Sequence, residues 1–177
     1  MSNTERWRNT SQEVSVLTKK RKQMGYNTDW EGRITLSRPL SKSEQQEWDD
    51  ICEHRHDSEY QYGDVRREFP SIWCGFEVTK VETKYGNAFS KTIFRWDGGE
   101  KTYEGIGWIV FFVEKLKEWS KREEIFGTGT MEWRGEEWGD EGRVRVNAYK
   151  DKDDEWVHSV QVQEVEHSYK TLHHYKL

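Results

Sequence analysis

The chain has 177 residues, enough for one core, and its net charge of −5 argues against a dedicated nucleic-acid binder, whose phosphate contacts need clustered Lys and Arg. Only 33% of the residues are hydrophobic and 34% are charged, yet 14% are aromatic, including ten Trp, so a few very large side chains can close a core and wholesale disorder is excluded. No apolar run approaches the roughly 18–20 residues that span a bilayer, and residues 1–24 lack the apolar stretch of a signal peptide, so a cytoplasmic location and no membrane partner are expected.

Residues 1–23 are polar and carry the basic run Lys19-Lys20-Arg21-Lys22; they read as an extension, flexible or ordered by a partner. From Trp30 to Leu36 apolar and polar residues alternate, the pattern of a half-buried strand that Pro39 ends. Ser41-x-x-Glu44 has the spacing of a capping box, and Trp48, Ile51 and Cys52 give the helix that follows a narrow apolar stripe. The charged stretch from His54 to Pro70 reads as a loop. Ile72–Val81 and Ala88–Trp96 are strand-like runs around Tyr85-Gly86-Asn87, a plausible hairpin turn.

Asp97-Gly98-Gly99 breaks the second run. Tyr103, Ile106, Ile109, Val110, Val113, Leu116 and Trp119 then recur at helical spacing, widened by Phe111 and Phe112, which predicts the most buried helix. Beyond Gly127 three further strands are expected at Thr130–Glu136, Arg143–Tyr149 and Trp156–Val165, and residues 166–177 read as a polar tail that frays. The expected fold is α+β over residues 24–165, a single domain with a mainly antiparallel sheet in the order β-α-β-β-α-β-β-β and two helices packed on one face.

The segments Met24-Gly25-Tyr26-Asn27-Thr28-Asp29-Trp30-Glu31-Gly32 with Arg38-Pro39-Leu40, the Trp73-Cys74 pair, Trp96-Asp97-Gly98-Gly99-Glu100-Lys101-x-Tyr103, and Glu132-Trp133-x-Gly135-Glu136-Glu137 through Asp140, Gly142, Val144 and Val146 together resemble a family of small uncharacterised proteins from bacteriophages, prophages and some bacteria. The blocks cover most of residues 24–147. The chain departs from the family in three respects: the charged stretch 55–70 replaces a longer segment rich in Gly, Asp and Pro, the turn after Val146 is lengthened, and residues 1–23 have no counterpart. The resemblance implies a phage or mobile-element origin and hence a host-cell cytoplasm, and it implies no reaction.

Several constellations invite a chemical reading. Asp97, Gly98, Gly99 and Glu100 could cradle an anion ahead of a helix, but two carboxylates repel a phosphate, and a capping box of Asp97 with Glu100 is the simpler expectation. Glu132, Glu136, Glu137, Asp140 and Glu141 crowd around one turn and could hold a divalent cation, although Arg134 shares a strand face with Glu132 and Glu136 and no calcium-loop pattern is present. His54, His56 and Asp57, or His173-His174, offer metal donors without a fixed third ligand, so no metal and no cofactor is expected. Cys52 and Cys74 are expected to be free thiols, since neither belongs to a C-x-x-C pair. No P-loop, nucleophile elbow or H-E-x-x-H motif occurs, so no catalytic residue is assigned.

Trp108, Trp119, Trp133 and Trp96 suit core positions, whereas Trp138 falls in the acidic turn, where an aromatic serves recognition unless it folds back on the sheet. The leading expectation is a non-enzymatic protein that engages a host protein, and a host defence system is the natural target. Its contacts would be Trp138, Glu136, Glu137, Asp140 and Glu141, with Lys19, Lys20, Arg21 and Lys22 as a second arm. A first alternative is a binder of a nucleotide-like ligand held between sheet and helix by Arg143, Arg145 and Trp133. A second is a metal-dependent enzyme built on the acidic cluster.

Overall fold

The computed structural model describes residues 27–56, 69–71, 73–81, 91–99, 102–137, 139–166 and 169–176, with backbone alone from 165 onward. The protein is α+β, and the elements in chain order are β1 (Thr28–Leu36), α1 (Lys42–Glu53), β2 (Phe76–Val81), β3 (Lys91–Trp96), α2 (Gly105–Ser120), β4 (Gly127–Gly135), β5 (Glu141–Lys150), β6 (Trp156–Glu166) and β7 (Tyr169–Lys176). The strands form one sheet in the order β2-β3-β1-β4-β5-β6-β7, antiparallel at every pairing. β1 lies between β3 and β4: the segment carrying α1 leaves β1 and enters the edge strand β2, and the segment carrying α2 passes from β3 to β4, on the two sides of β1.

Side chains alternate across a strand, and the register aligns that alternation over the whole sheet. Trp30, Ile34 and Leu36 of β1 share a side with Phe94 of β3, with Phe76 and Val78 of β2, with Met131 and Trp133 of β4, with Val144 and Val146 of β5, and with Val160 and Val162 of β6. These residues form a single core cluster with Trp48 of α1 and with Ile106, Trp108, Ile109, Val110, Phe111, Phe112, Val113, Leu116 and Trp119 of α2. The other parity is mainly polar: Asp29, Glu31 and Arg33 of β1, Glu132 and Arg134 of β4, and Arg143 and Arg145 of β5 are all exposed, although Ile93 of β3 is buried on this side.

The capping box expected at Ser41 is formed. Glu44 N donates to Ser41 Oγ at 3.3 Å and Ser41 N donates to Glu44 Oε2 at 2.7 Å, pairing two helix-end donors that would otherwise be orphaned. Glu44 is buried and also receives both ends of the Arg38 guanidinium at 2.8 and 3.0 Å, while Arg38 donates further to the carbonyls of Glu123 and Glu124 beyond α2. The hydrogen bond from Arg38 holds the Glu44 carboxyl below the usual carboxylate range. Glu47 joins the helices, accepting from Lys115 Nζ at 2.7 Å and from Trp119 Nε1 at 2.9 Å. Burial alone would raise its pKa, but these two donors outweigh burial and the net shift is downward.

Two expectations are corrected. Asp97 does not cap α2: the helix starts at Gly105, and its N-cap is Glu104 in the left-handed region (φ 54°) without a side-chain cap. Asp97 Oδ1 instead accepts from Gly99 N at 2.7 Å, closing a local turn after β3, and Glu100 lies outside the described residues. The helix start is set by packing, because a Cβ on Gly105 would come within 2.4 Å of the Trp30 ring, so only glycine fits where α2 crosses that indole. Tyr103 accordingly falls before the helix and is exposed. The second correction concerns residues 166–177, expected to fray: Tyr169–Lys176 is β7, paired with β6 from Ser159↔Lys176 to Glu166↔Tyr169. An edge strand with polar residues at both parities carries little hydrophobic alternation to read. The loop expected at His54–Pro70 and the turn at residues 85–87 fall largely outside the described residues.

Gly105→Ala is expected to lower stability by about 1–3 kcal/mol or more in urea denaturation, since the fully enclosed Trp30 ring has no room to retreat. A smaller change than this would mean that α2 can shift off Trp30.

Candidate functional site

The connection between β4 and β5 is built from the core outward. Trp133, the last inward-facing residue of β4, is buried and lies across Gly142 of β5, where any Cβ would come within 2.1–2.2 Å of the indole ring. Trp133 Nε1 donates to Asp140 Oδ1 at 3.4 Å, Gly135 N donates to Asp140 O at 2.6 Å, and Asp140 N donates to Glu137 O at 3.0 Å. Gly139 supplies the positive φ (84°) the turn requires. The connection is therefore pinned through Asp140 to a core tryptophan, and it presents Glu136, Glu137 and Glu141 to solvent. Asp140 serves this scaffold more than the acidic surface. Trp138 and Lys19, Lys20, Arg21 and Lys22 lie outside the described residues.

Glu132 sits on the exposed face of the sheet, one strand position behind the buried Trp133, and accepts from Arg143 Nε at 2.8 Å. That cross-strand pair neutralises it and separates it from the turn carboxylates. Among the described residues no group of three or more His, Cys, Asp or Glu is arranged to hold a metal ion. His54 Nδ1 and His56 Nε2 lie 2.7 and 2.8 Å from the carbonyl oxygens of Asp50 and Ile51, so both rings sit at the C-terminal end of α1, and His56 stacks on Phe69 with centroids 3.9 Å apart.

The grouping of Arg143, Arg145 and Trp133 is a correction. Both arginines lie on the polar face and Trp133 on the opposite, buried one, so these three residues do not line a common pocket between sheet and helix. The reason is parity: positions 143 and 145 sit opposite 132 and 130, one residue out of phase with 133. Arg33 and Arg145 instead flank Thr130 in cross-strand register on the exposed side.

Three large aromatics among the described residues are exposed and stand outside every site expected from the sequence, Trp73 (47% exposed), Tyr103 (38%) and Tyr149 (42%). Trp73 and Tyr103 are neighbours: Ser71 Oγ lies 3.0 and 3.2 Å from their carbonyl oxygens and accepts from the buried Trp108 Nε1 at 2.8 Å. The signal available was parity, since Cys74, Phe76 and Val78 face inward and leave Trp73 turned out. No helix among the described residues is long and apolar enough to cross a membrane. No protein-family model, curated protein or solved structure matches the chain.

One titratable group lies inside the apolar face. His158 of β6 is buried, its Nε2 accepts from Gly127 N at 3.4 Å, and its Nδ1 has no partner. Burial, and then the charge of Lys117, push its pKa down to about 4. Because the folded-state value lies below the unfolded value near 6.5, the unfolded chain binds more protons between those two pH values. Stability is thus complete above about pH 6.5 and falls as pH drops toward 4, by up to about 3 kcal/mol. Chemical denaturation at pH 7 and pH 5 should show this loss in the wild type and a much smaller one in His158→Gln.

Proposed function

We propose that the protein is a non-enzymatic binding protein of phage or mobile-element origin that engages a host protein in the cytoplasm of the infected cell, with inhibition of a host defence system as its role. The observation that carries this reading is the β4–β5 connection, where Glu136, Glu137 and Glu141 are exposed on a turn whose geometry is held by Asp140 against the buried Trp133. A preorganised acidic tip complements a basic surface, such as the Lys- and Arg-lined channel with which a host nuclease grips nucleic acid, and loses little freedom on docking. The overall charge of −5 favours approach to such a surface and disfavours direct binding of nucleic acid. The likeness of residues 24–147 to phage and prophage proteins supports the biological setting.

The same reading assigns both helices to one face of the sheet. Glu47 tying α1 to α2 supports it, as does Trp48 of α1 packing against both Phe94 of β3 and Phe112 of α2, at centroid distances of 5.7 and 4.9 Å. The opposite, polar face then flanks the acidic tip and shares in recognition, with the basic run Lys19 to Arg21 and Lys22 as a further arm.

Pull-down from host lysate tests the proposal. The wild type should retain a discrete partner, and Glu136→Lys combined with Glu141→Lys should weaken retention by about tenfold or more at low salt, with the difference shrinking as salt screens the contacts. Retention of no partner by the wild type, or indifference of the partner to both reversals, sinks the acidic-tip reading. A chain beginning at Met24 should keep the same thermal stability, and loss of the partner from that chain alone would move the contact to the basic arm.

A further inference from the structure

Cys52 and Cys74 are 22 positions apart in sequence, and nothing in their spacing marks them as a pair. The fold brings them together. Cys52 stands in the last turn of α1, Cys74 stands two residues before β2, and both thiols donate to one atom, the carbonyl oxygen of the buried Phe76, at 3.1 and 3.4 Å. Two sulfurs at 3.1 and 3.4 Å from the same oxygen are near neighbours, and Cys74 is the group that perturbs the Cys52 thiol most. Both are free thiols here.

The geometry points to Cys52 and Cys74 as an oxidation site, a dithiol that a peroxide converts into an intramolecular disulfide joining the end of α1 to the entry of β2. Their exposure sets the order of events. Cys52 is partly exposed and meets the oxidant first, whereas Cys74 is buried. The Cys52 sulfur attacks the peroxide O–O bond, forming a sulfenic acid and releasing one oxygen as water. The Cys74 sulfur then attacks the Cys52 sulfur, the S–S bond forms, and the sulfenic hydroxyl leaves as a second water. Two thiol hydrogens and one peroxide are consumed; both cysteines are oxidised and the peroxide is reduced.

The reduced pair is held back from this reaction at neutral pH. The neighbouring Cys74 thiol and then burial push the Cys52 thiol well above its ordinary value, and the thiolate is the attacking species. The site therefore resists weak oxidants and answers to strong or sustained ones. When it does react, Phe76 O loses both of its thiol donors and the segment from 53 to 73 becomes a covalently closed loop.

Peptide mapping of the full chain after hydrogen peroxide treatment tests the assignment. The expected product is a monomer that has lost two hydrogens, contains a peptide linked through Cys52 and Cys74, and reverts with dithiothreitol. In Cys74→Ser, dimedone should trap a sulfenic acid at Cys52; in Cys52→Ser, Cys74 should react at least tenfold more slowly than Cys52 does. The reaction should accelerate with rising pH, in step with the thiolate fraction. Independent conversion of either cysteine to sulfinic acid in the wild type, or a disulfide between two chains in place of the internal one, would overturn the proposal. The wild-type mapping stands alone if either serine variant fails to fold.

Discussion

The structure depends on the accommodation of indoles in a core that has few other apolar residues. Trp30 and Trp133 lie with ring centroids 5.5 Å apart on neighbouring strands, and each is faced by a glycine, Gly105 at the start of α2 and Gly142 on β5, whose missing side chain is the space the ring occupies. A buried indole removes roughly 200 Å² from water, worth about 5 kcal/mol at 25 cal/mol/Å². Trp30, Trp48 and Trp156 bury their N–H groups without an acceptor, at a cost of about 1–3 kcal/mol each, and the apolar gain still outweighs it. The other inward indoles recover that cost: Trp108 donates to Ser71, Trp119 to Glu47, Trp96 to Thr102 and Trp133 to Asp140.

Those four hydrogen bonds carry the order of the core outward to the surface. Through Ser71 the buried Trp108 fixes the segment bearing the exposed Trp73 and Tyr103, through Glu47 Trp119 couples the two helices, and through Asp140 Trp133 sets the shape of the acidic turn. The Arg38–Glu44 pair acts in the same sense from the polar side. One bidentate contact joins the N-terminus of α1 to the segment leaving α2 and leaves no buried charge unmatched. The acidic turn and the segment bearing Trp73 and Tyr103 are thus built as extensions of core packing.

Legibility in the sequence followed the strength of local periodicity. β1, α1 and its capping box, and the strands at Arg143–Tyr149 and Trp156–Val165 could be read because alternation or cap chemistry is carried within a few residues. The start of α2 could not, because Gly105 is required there by Trp30, a residue 75 positions earlier, while the local cap signal at Asp97 is used instead to close the turn at Gly99. β7 was hidden for the complementary reason: its order comes from backbone pairing with β6, and its side-chain pattern announces nothing. At the site, the acidic character of the turn was visible, but two of its assigned roles were not. Asp140 belongs to the scaffold, and Arg143 serves Glu132 on the far side of the sheet from Trp133.

The same contrast explains why an acidic turn in this position differs from an ordinary solvated loop. Carboxylates on a mobile loop gain little from meeting a basic surface, because ordering the loop consumes much of the Coulomb attraction available in high dielectric. Here the ordering has already occurred on folding: Gly135, Gly139 and Asp140 hold the backbone, and the indole N–H that holds Asp140 is itself enclosed by Trp30 and Gly142. Glu136, Glu137 and Glu141 are therefore presented to solvent from a backbone that the fold itself orders.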